Sequence, residues 1–112
     1  MTDCLFCRII AGDIPCDMVF ESELVVAFRD IAPKAPVHVL VVPRLHVENV
    51  AALAAPAPEI LAALTAAAQS IADAESDGQF RLMFNTGEAA GQTVFHVHGH
   101  VLGRGSVDME TV

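Results

Sequence analysis

All five histidines of the 112-residue chain fall in two places. His38 lies in the run Val37–Val42 and His46 just beyond it, while His96, His98 and His100 alternate through Phe95-His96-Val97-His98-Gly99-His100-Val101-Leu102. Along an extended strand successive side chains point to opposite faces. The alternating histidines therefore project from one face, and Val97, Gly99 and Val101 from the other. Unperturbed imidazole titrates at about 6.5, so a row of these side chains can supply a nucleophile, a proton carrier and a hydrogen-bond donor side by side. An ordinary solvated face has no need of adjacent imidazoles between apolar neighbours. Spacing alone leaves two chemistries open: zinc ligation by His96, His98 and His100, or covalent catalysis by one histidine assisted by the others. Cys4-Leu5-Phe6-Cys7 adds a CxxC pair, which by itself reads as metal ligands, a redox pair or two small buried side chains. Cys16 has no evident partner.

A short series of elements must position these groups. Leu5–Ala11 fits a short helix, ended by Gly12 and the turn around Ile14-Pro15. Met18–Glu21 and Leu24–Arg29 are rich in β-branched and aromatic residues and are separated only by Ser22 and Glu23, as in a hairpin. Pro33 and Pro36 force an extended loop before Val37–Val42, a β-prone run that stops at Pro43 and reads as a central strand. Ile60, Leu61, Leu64, Ala67, Ala68 and Ile71 recur at helical spacing, predicting the main helix from about Pro58 to Glu75, with Ser76-Asp77-Gly78 ending it. Phe80–Asn85 and Val94–Leu102 predict two further strands around the loop Thr86-Gly87-Glu88-Ala89-Ala90-Gly91. The expected class is α+β: a five-stranded antiparallel sheet with one long and one short helix, in a single domain spanning residues 1–112.

Composition narrows the function. With 54% hydrophobic residues the chain can bury one core. Its net charge of −8, from 14 acidic residues against six Lys and Arg, has the wrong sign for a nucleic-acid polymer. A small phosphate ester remains possible, because backbone N–H groups and histidines can cradle one or two phosphates locally. Met1-Thr2-Asp3-Cys4 lacks the basic and apolar regions of a secretory signal, and the apolar run Val50–Ala68 is interrupted by Pro56, Pro58 and Glu59. The expectation is a cytoplasmic protein with no membrane partner and no disulfide framework.

The segment Gly91-Gln92-Thr93-Val94-Phe95-His96-Val97-His98-Gly99-His100-Val101-Leu102 resembles the histidine-triad (HIT) motif, His-φ-His-φ-His-φ-φ with φ apolar. The likeness extends upstream through Asn85-Thr86-Gly87, through Pro36-Val37-His38-Val39-Leu40-Val41-Val42-Pro43-Arg44-Leu45-His46, through Phe28-Arg29-Asp30-Ile31, and to Cys4-Leu5-Phe6-Cys7-Arg8-Ile9-Ile10-Ala11-Gly12. By this pattern the chain is most similar to the Hint-like branch, which acts on purine nucleoside 5′-phosphoramidates. The Fhit-like dinucleoside polyphosphate hydrolases come second. The resemblance implies that His98 attacks the α-phosphorus and holds the nucleotidyl group until water removes it. It implies that His100 donates to a non-bridging oxygen, that His96 completes the triad, and that His38 orients or protonates its neighbours. Asn85, Gly91, Gln92 and Thr93 match positions that meet the nucleotide and phosphate, Thr93 through a hydroxyl near the leaving atom. Asp30 matches the acid that grips the ribose hydroxyls, and Phe6, Ile9, Phe28 and Ile31 match the apolar wall around the base, although Phe28 and Ile9 read equally as ordinary core.

Bacterial members with such a cysteine pair complete a structural zinc site, here implying Cys4, Cys7, His46 and His96 as ligands. No organic cofactor is implied, and a homodimer is. Two features depart from the family pattern: Gly99 stands where a larger apolar residue is usual, and the tail after Leu102 is short and has no aromatic residue. They motivate a rival reading, a nucleotide-binding regulatory module with weak turnover.

Overall fold

Residues 4–105 are described by the computed structural model. Met1 to Asp3 and residues 106–112, which hold most of the short tail, lie outside the described residues. The β-branched run expected at the centre is there: β3 (Val37–Pro43) is buried at every position. Around it the strands β1 (Met18–Glu21), β2 (Val25–Arg29), β4 (Arg81–Met83) and β5 (Gly99–Gly103) form a sheet in the order β1-β2-β3-β5-β4, antiparallel throughout. This is the expected α+β class with its five-stranded sheet.

Alternation divides the core into two. Val37, Val39 and Val41, with Val25, Ala27 and Val101, pack against Leu64, Ala67, Ala68 and Ile71 of the long helix α3 (Pro58–Glu75). Val26, Phe28, Leu40 and Val42 face the other way, onto Phe6 and Ile9 of the short helix α1 (Leu5–Ile10). Each large apolar side chain buried in this manner contributes roughly 1.5–3 kcal/mol. His38 alternates with Leu40 and Val42, and His100 is paired with Leu40, so both imidazoles lie on the α1 face. The α3 bounds agree with the sequence expectation residue for residue, with proline opening the helix where an N–H would have no partner. Arg29 of β2 grips Glu75 through two 2.8 Å hydrogen bonds and ties the end of α3 to the sheet.

Four details differ from expectation. Val50–Ala54 forms a separate helix α2, capped by Asn49, whose side chain accepts from Ala52 N–H at 2.9 Å. Pro56 and Pro58 prevent it from running on into α3. The β1–β2 turn takes in Leu24 as well as Ser22 and Glu23, with Ser22 N–H donating to Val25 O at 2.8 Å. Phe80–Asn85 contracts to β4. Val94–Leu102 joins the sheet only at Gly99, because the β3–β5 ladder ends at Val41 opposite Gly99. Beyond that point Pro43 has no N–H for a partner strand, and its carbonyl accepts from His96 Nε2 at 2.8 Å. Residues 94–98 form an irregular segment, attached by Val97 N–H donating to Val47 O at 2.7 Å. The two-residue alternation nevertheless survives there. Val97 packs with Leu53, Ala57 and Ile60, while His96 and His98 turn to Phe6.

Gly99 is enclosed rather than open. A Cβ there would lie 2.8 Å from Leu82 Cδ1 and 3.2 Å from two atoms of the Phe84 ring. Leu82 and Phe84 occupy the room that a larger family residue would take, which removes the loose-strand argument for a regulatory module. Gly103 is enclosed more firmly, since a Cβ would lie 2.8 Å from Ser76 Cβ at the end of α3. Among the described residues no helix is long and apolar enough to cross a membrane.

Candidate active site and metal cluster

His96 is fully buried and directs its two ring nitrogens to different tasks. A carbonyl oxygen can only accept, so the bond to Pro43 O places the proton on His96 Nε2 and leaves a lone pair on Nδ1. That lone pair faces Cys4 Sγ at 3.4 Å, Cys7 Sγ at 3.6 Å and His46 Nδ1 at 3.2 Å, and Cys7 Sγ lies 3.4 Å from His46 Nδ1. Four ligand atoms around a zinc-sized ion would stand about 3.3 Å apart for nitrogen pairs and about 3.6 Å for nitrogen–sulfur pairs, from the usual bond lengths and tetrahedral angles. Cys4, Cys7, His46 and His96 thus form a cluster able to hold a metal ion. The His96 bond to a main-chain carbonyl is the outer support that a metal-binding imidazole normally has. Direct ligation by His96, His98 and His100 together is not what the geometry provides. Among the described residues the other metal-sized group is Asp30, His38 and His100, and His98 is in neither.

The same main-chain logic sets His98 and His38, and through His38 it sets His100. His98 Nδ1–H donates to the carbonyl of His96 at 2.8 Å, so its Nε2 carries the lone pair. His38 Nδ1 accepts from Lys34 N–H at 2.9 Å, so its Nε2 carries the proton. That N–H donates to His100 Nδ1 at 3.0 Å and lies 3.3 Å from Asp30 Oδ2. His100, accepting at Nδ1, must hold its own proton on Nε2. The result is a free nitrogen lone pair on His98 beside an N–H donor on His100, with ring centroids 5.2 Å apart. These tautomers belong to neutral imidazoles, and burial favours neutrality. Desolvation lowers the pKa of His96, His98 and His38, and takes His100 to about 4 with help from the neighbouring His98 and His38.

The other expected residues gather around this pair unevenly. Phe6 stands edge-on to His98 at 4.9 Å and to Phe28 at 5.6 Å, so Phe6, Ile9 and Phe28 are chiefly core beneath the imidazoles. Ile31 is 102% exposed and does not pack with these three. Asp30 is half-buried and accepts from Ala32 N–H at 2.8 Å. Asn85 is half-buried, and a Cβ on Gly91 would lie 3.7 Å from its amide nitrogen. Thr93 is exposed. Gln92, by contrast, is buried and turned to the main chain. Sequence reasoning could not find the groups that set the tautomers, namely Lys34 N–H, the Pro43 carbonyl and the His96 carbonyl. They are main-chain atoms, and residue type carries no signal of them.

Residues 11–107 match the HIT domain. An uncharacterised HIT-like protein of Synechococcus elongatus is 44% identical over 103 residues, 90% of either chain. The purine nucleoside phosphoramidase of Escherichia coli K12 is 39% identical over 101 residues, 88% of this chain and 85% of that one. In structure, a HIT family hydrolase from Clostridium thermocellum superposes with a TM-score of 0.88 at 42% identity, covering 97% of this chain and 95% of the other. On the alternating histidines, the sheet that carries them and these matches, the chain belongs to the histidine-triad (HIT) family.

Proposed function

We propose that the protein is a nucleotidyl hydrolase or transferase acting on purine nucleoside 5′-phosphoramidates or related nucleotides, through a covalent intermediate on His98. The observation that carries this reading is the 2.8 Å bond from His98 Nδ1–H to the His96 carbonyl, which leaves Nε2 free to attack. The E. coli relative named purine nucleoside phosphoramidase supports the substrate class.

In the first step Nε2 of His98 attacks the α-phosphorus. A phosphorus–nitrogen bond to His98 forms as the bond to the leaving amine breaks, and the amine takes a proton from water. In the second step water adds to phosphorus and gives its proton to solvent. The bond to Nε2 breaks, its electron pair returning to the imidazole, and a nucleoside monophosphate is released. Dividing one displacement into two is what a neutral nitrogen nucleophile offers. Throughout, His100 Nε2–H donates to a non-bridging oxygen where charge builds up. Asp30 would hold the ribose hydroxyls, and Asn85, Gly91 and Thr93 the phosphate and leaving group.

Cys4, Cys7, His46 and His96 suit zinc: two sulfurs and two nitrogens would make a complete four-ligand set, leaving no position for water. Zinc would supply a structural tether between α1 and the histidine segment. Assembly as a homodimer and residence in the cytoplasm belong to the same proposal, and light scattering measures the first.

The test is incubation with adenosine 5′-phosphoramidate, an alkaline quench and intact mass measurement. One adenylyl group on the wild type and none on His98→Ala is the expected result. Turnover with the label on another residue would overturn the assignment.

A further inference from the structure

The segment that carries His96 and His98 lies outside the sheet and needs anchorage from elsewhere. One buried side chain supplies much of it. Gln92 is 3% exposed, and its Nε2 donates to Glu48 O at 2.7 Å and to Val94 O at 3.1 Å, while its Oε1 accepts from Gly87 N–H at 2.9 Å. Three stretches of main chain meet on this single amide: the loop beside Asn85, the connection leaving β3, and the start of the histidine segment. Both donor hydrogens and one acceptor position are in use, so a direct hydrogen bond from the amide N–H groups to a ligand would have to break a bond already made in a buried place.

We infer that Gln92 is a positioning residue that sets the spacing between the loop beside Asn85 and the segment carrying His98, without touching the nucleotide. The inference rests on the proposed chemistry at His98. Removing the amide leaves two carbonyls and one N–H without their partner; the main-chain bonds from Gln92 N–H to Gly87 O at 3.1 Å and from Val97 N–H to Val47 O at 2.7 Å remain, but the three stretches are no longer fixed at one point. A displacement on the order of 1 Å between nucleophile and substrate can slow the chemical step by about a hundredfold.

Gln92→Met keeps the shape without the hydrogen bonds. Gln92→Glu replaces the amide nitrogen and its two donor hydrogens by one oxygen that faces two carbonyl oxygens. In substrate-free protein, NMR should show Gly87 amide exchange faster by about tenfold in Gln92→Met, which has lost the acceptor, and a shifted His98 ring N–H resonance in both variants. Affinity for AMP should stay within about threefold, while single-turnover adenylylation by adenosine 5′-phosphoramidate slows by about tenfold or more. In Gln92→Glu the rate should recover relative to wild type as pH falls from about 8 to about 6, because the buried carboxyl regains a donor on protonation. A loss of AMP affinity with unchanged adenylylation at saturation would overturn the inference by making Gln92 a ligand contact, and so would unchanged exchange with unchanged rate. If the wild type forms no adduct, the chemistry assigned to His98 fails, and the two substrate-free signals still decide the role of Gln92: unchanged signals reject it.

Discussion

His38 and His100 meet Nε2 to Nδ1 at 3.0 Å, and the proton between them belongs to His38. Lys34 N–H occupies the other nitrogen of His38, so a neutral His38 has nowhere else to keep its hydrogen. Protonating either ring in this buried pair brings a charge out of water, which is why both titrate below the ordinary histidine value.

Stability should therefore depend on pH with a definite sign. The unfolded chain takes up protons on His38, His98 and His100 at about 6.5, whereas the folded chain resists, His100 down to about 4. Over that window the unfolded state binds more protons, so acidification from about 6.5 towards about 4 lowers the melting temperature. The acid limb of kcat/KM should likewise fall below 6.5. A limb centred at or above the ordinary histidine value would contradict neutral, buried imidazoles.

His98→Ala should abolish turnover while AMP affinity stays within about tenfold, because the proposed nucleotide contacts of Asp30, Asn85 and Thr93 remain. Near-normal turnover in that variant removes His98 as the nucleophile.

Cys4→Ser combined with Cys7→Ser should reduce bound zinc from one equivalent to none and lower the melting temperature by more than about 5 °C, since a closed ligand set contributes to folding. Turnover below the new melting temperature should change far less. An unaltered melting temperature, or wild-type protein purified without metal, would count against the site.

Gly99→Val should destabilise by about 1–3 kcal/mol, because Leu82 and Phe84 already fill the space. Gly103→Ala should lose more than Gly99→Ala. At Gly103 the obstructing atom is Ser76 Cβ, fixed to its backbone, whereas at Gly99 the nearest is a terminal methyl of Leu82 that can swing aside. Denaturant melts of the three variants measure the order, and a gain in stability for Gly99→Val would refute the packing account.

Much of this arrangement was legible in residue types. Helical spacing with Pro58 at the start defined α3, and β-branched density defined β3. The alternating histidines kept their common side although only His100 lies in a strand. Periodicity marks which way a side chain faces, but not where a ladder loses its partner. The start of β5 only at Gly99 reflects Pro43, which is distant in sequence and has no N–H to offer. The Val50–Ala54 helix was submerged in a longer alanine run. Ile31, grouped with the apolar wall by resemblance, is exposed because Asp30 accepts from Ala32 N–H and turns the chain just after β2.

Main-chain atoms dictate which nitrogen of His96, His98 and His38 holds hydrogen, and His38 passes that order on to His100, so on the proposed mechanism the site would enter the reaction with its protons already in place. The proposed attack by His98 would need no prior tautomer exchange and no reorientation of His100, so little reorganisation energy would remain to be supplied at the moment of bond formation. That preparation was completed when the chain folded. It starts from the backbone, so a transplanted set of histidines without the Pro43, His96 and Lys34 main-chain groups would reproduce the residues and lose their proton order.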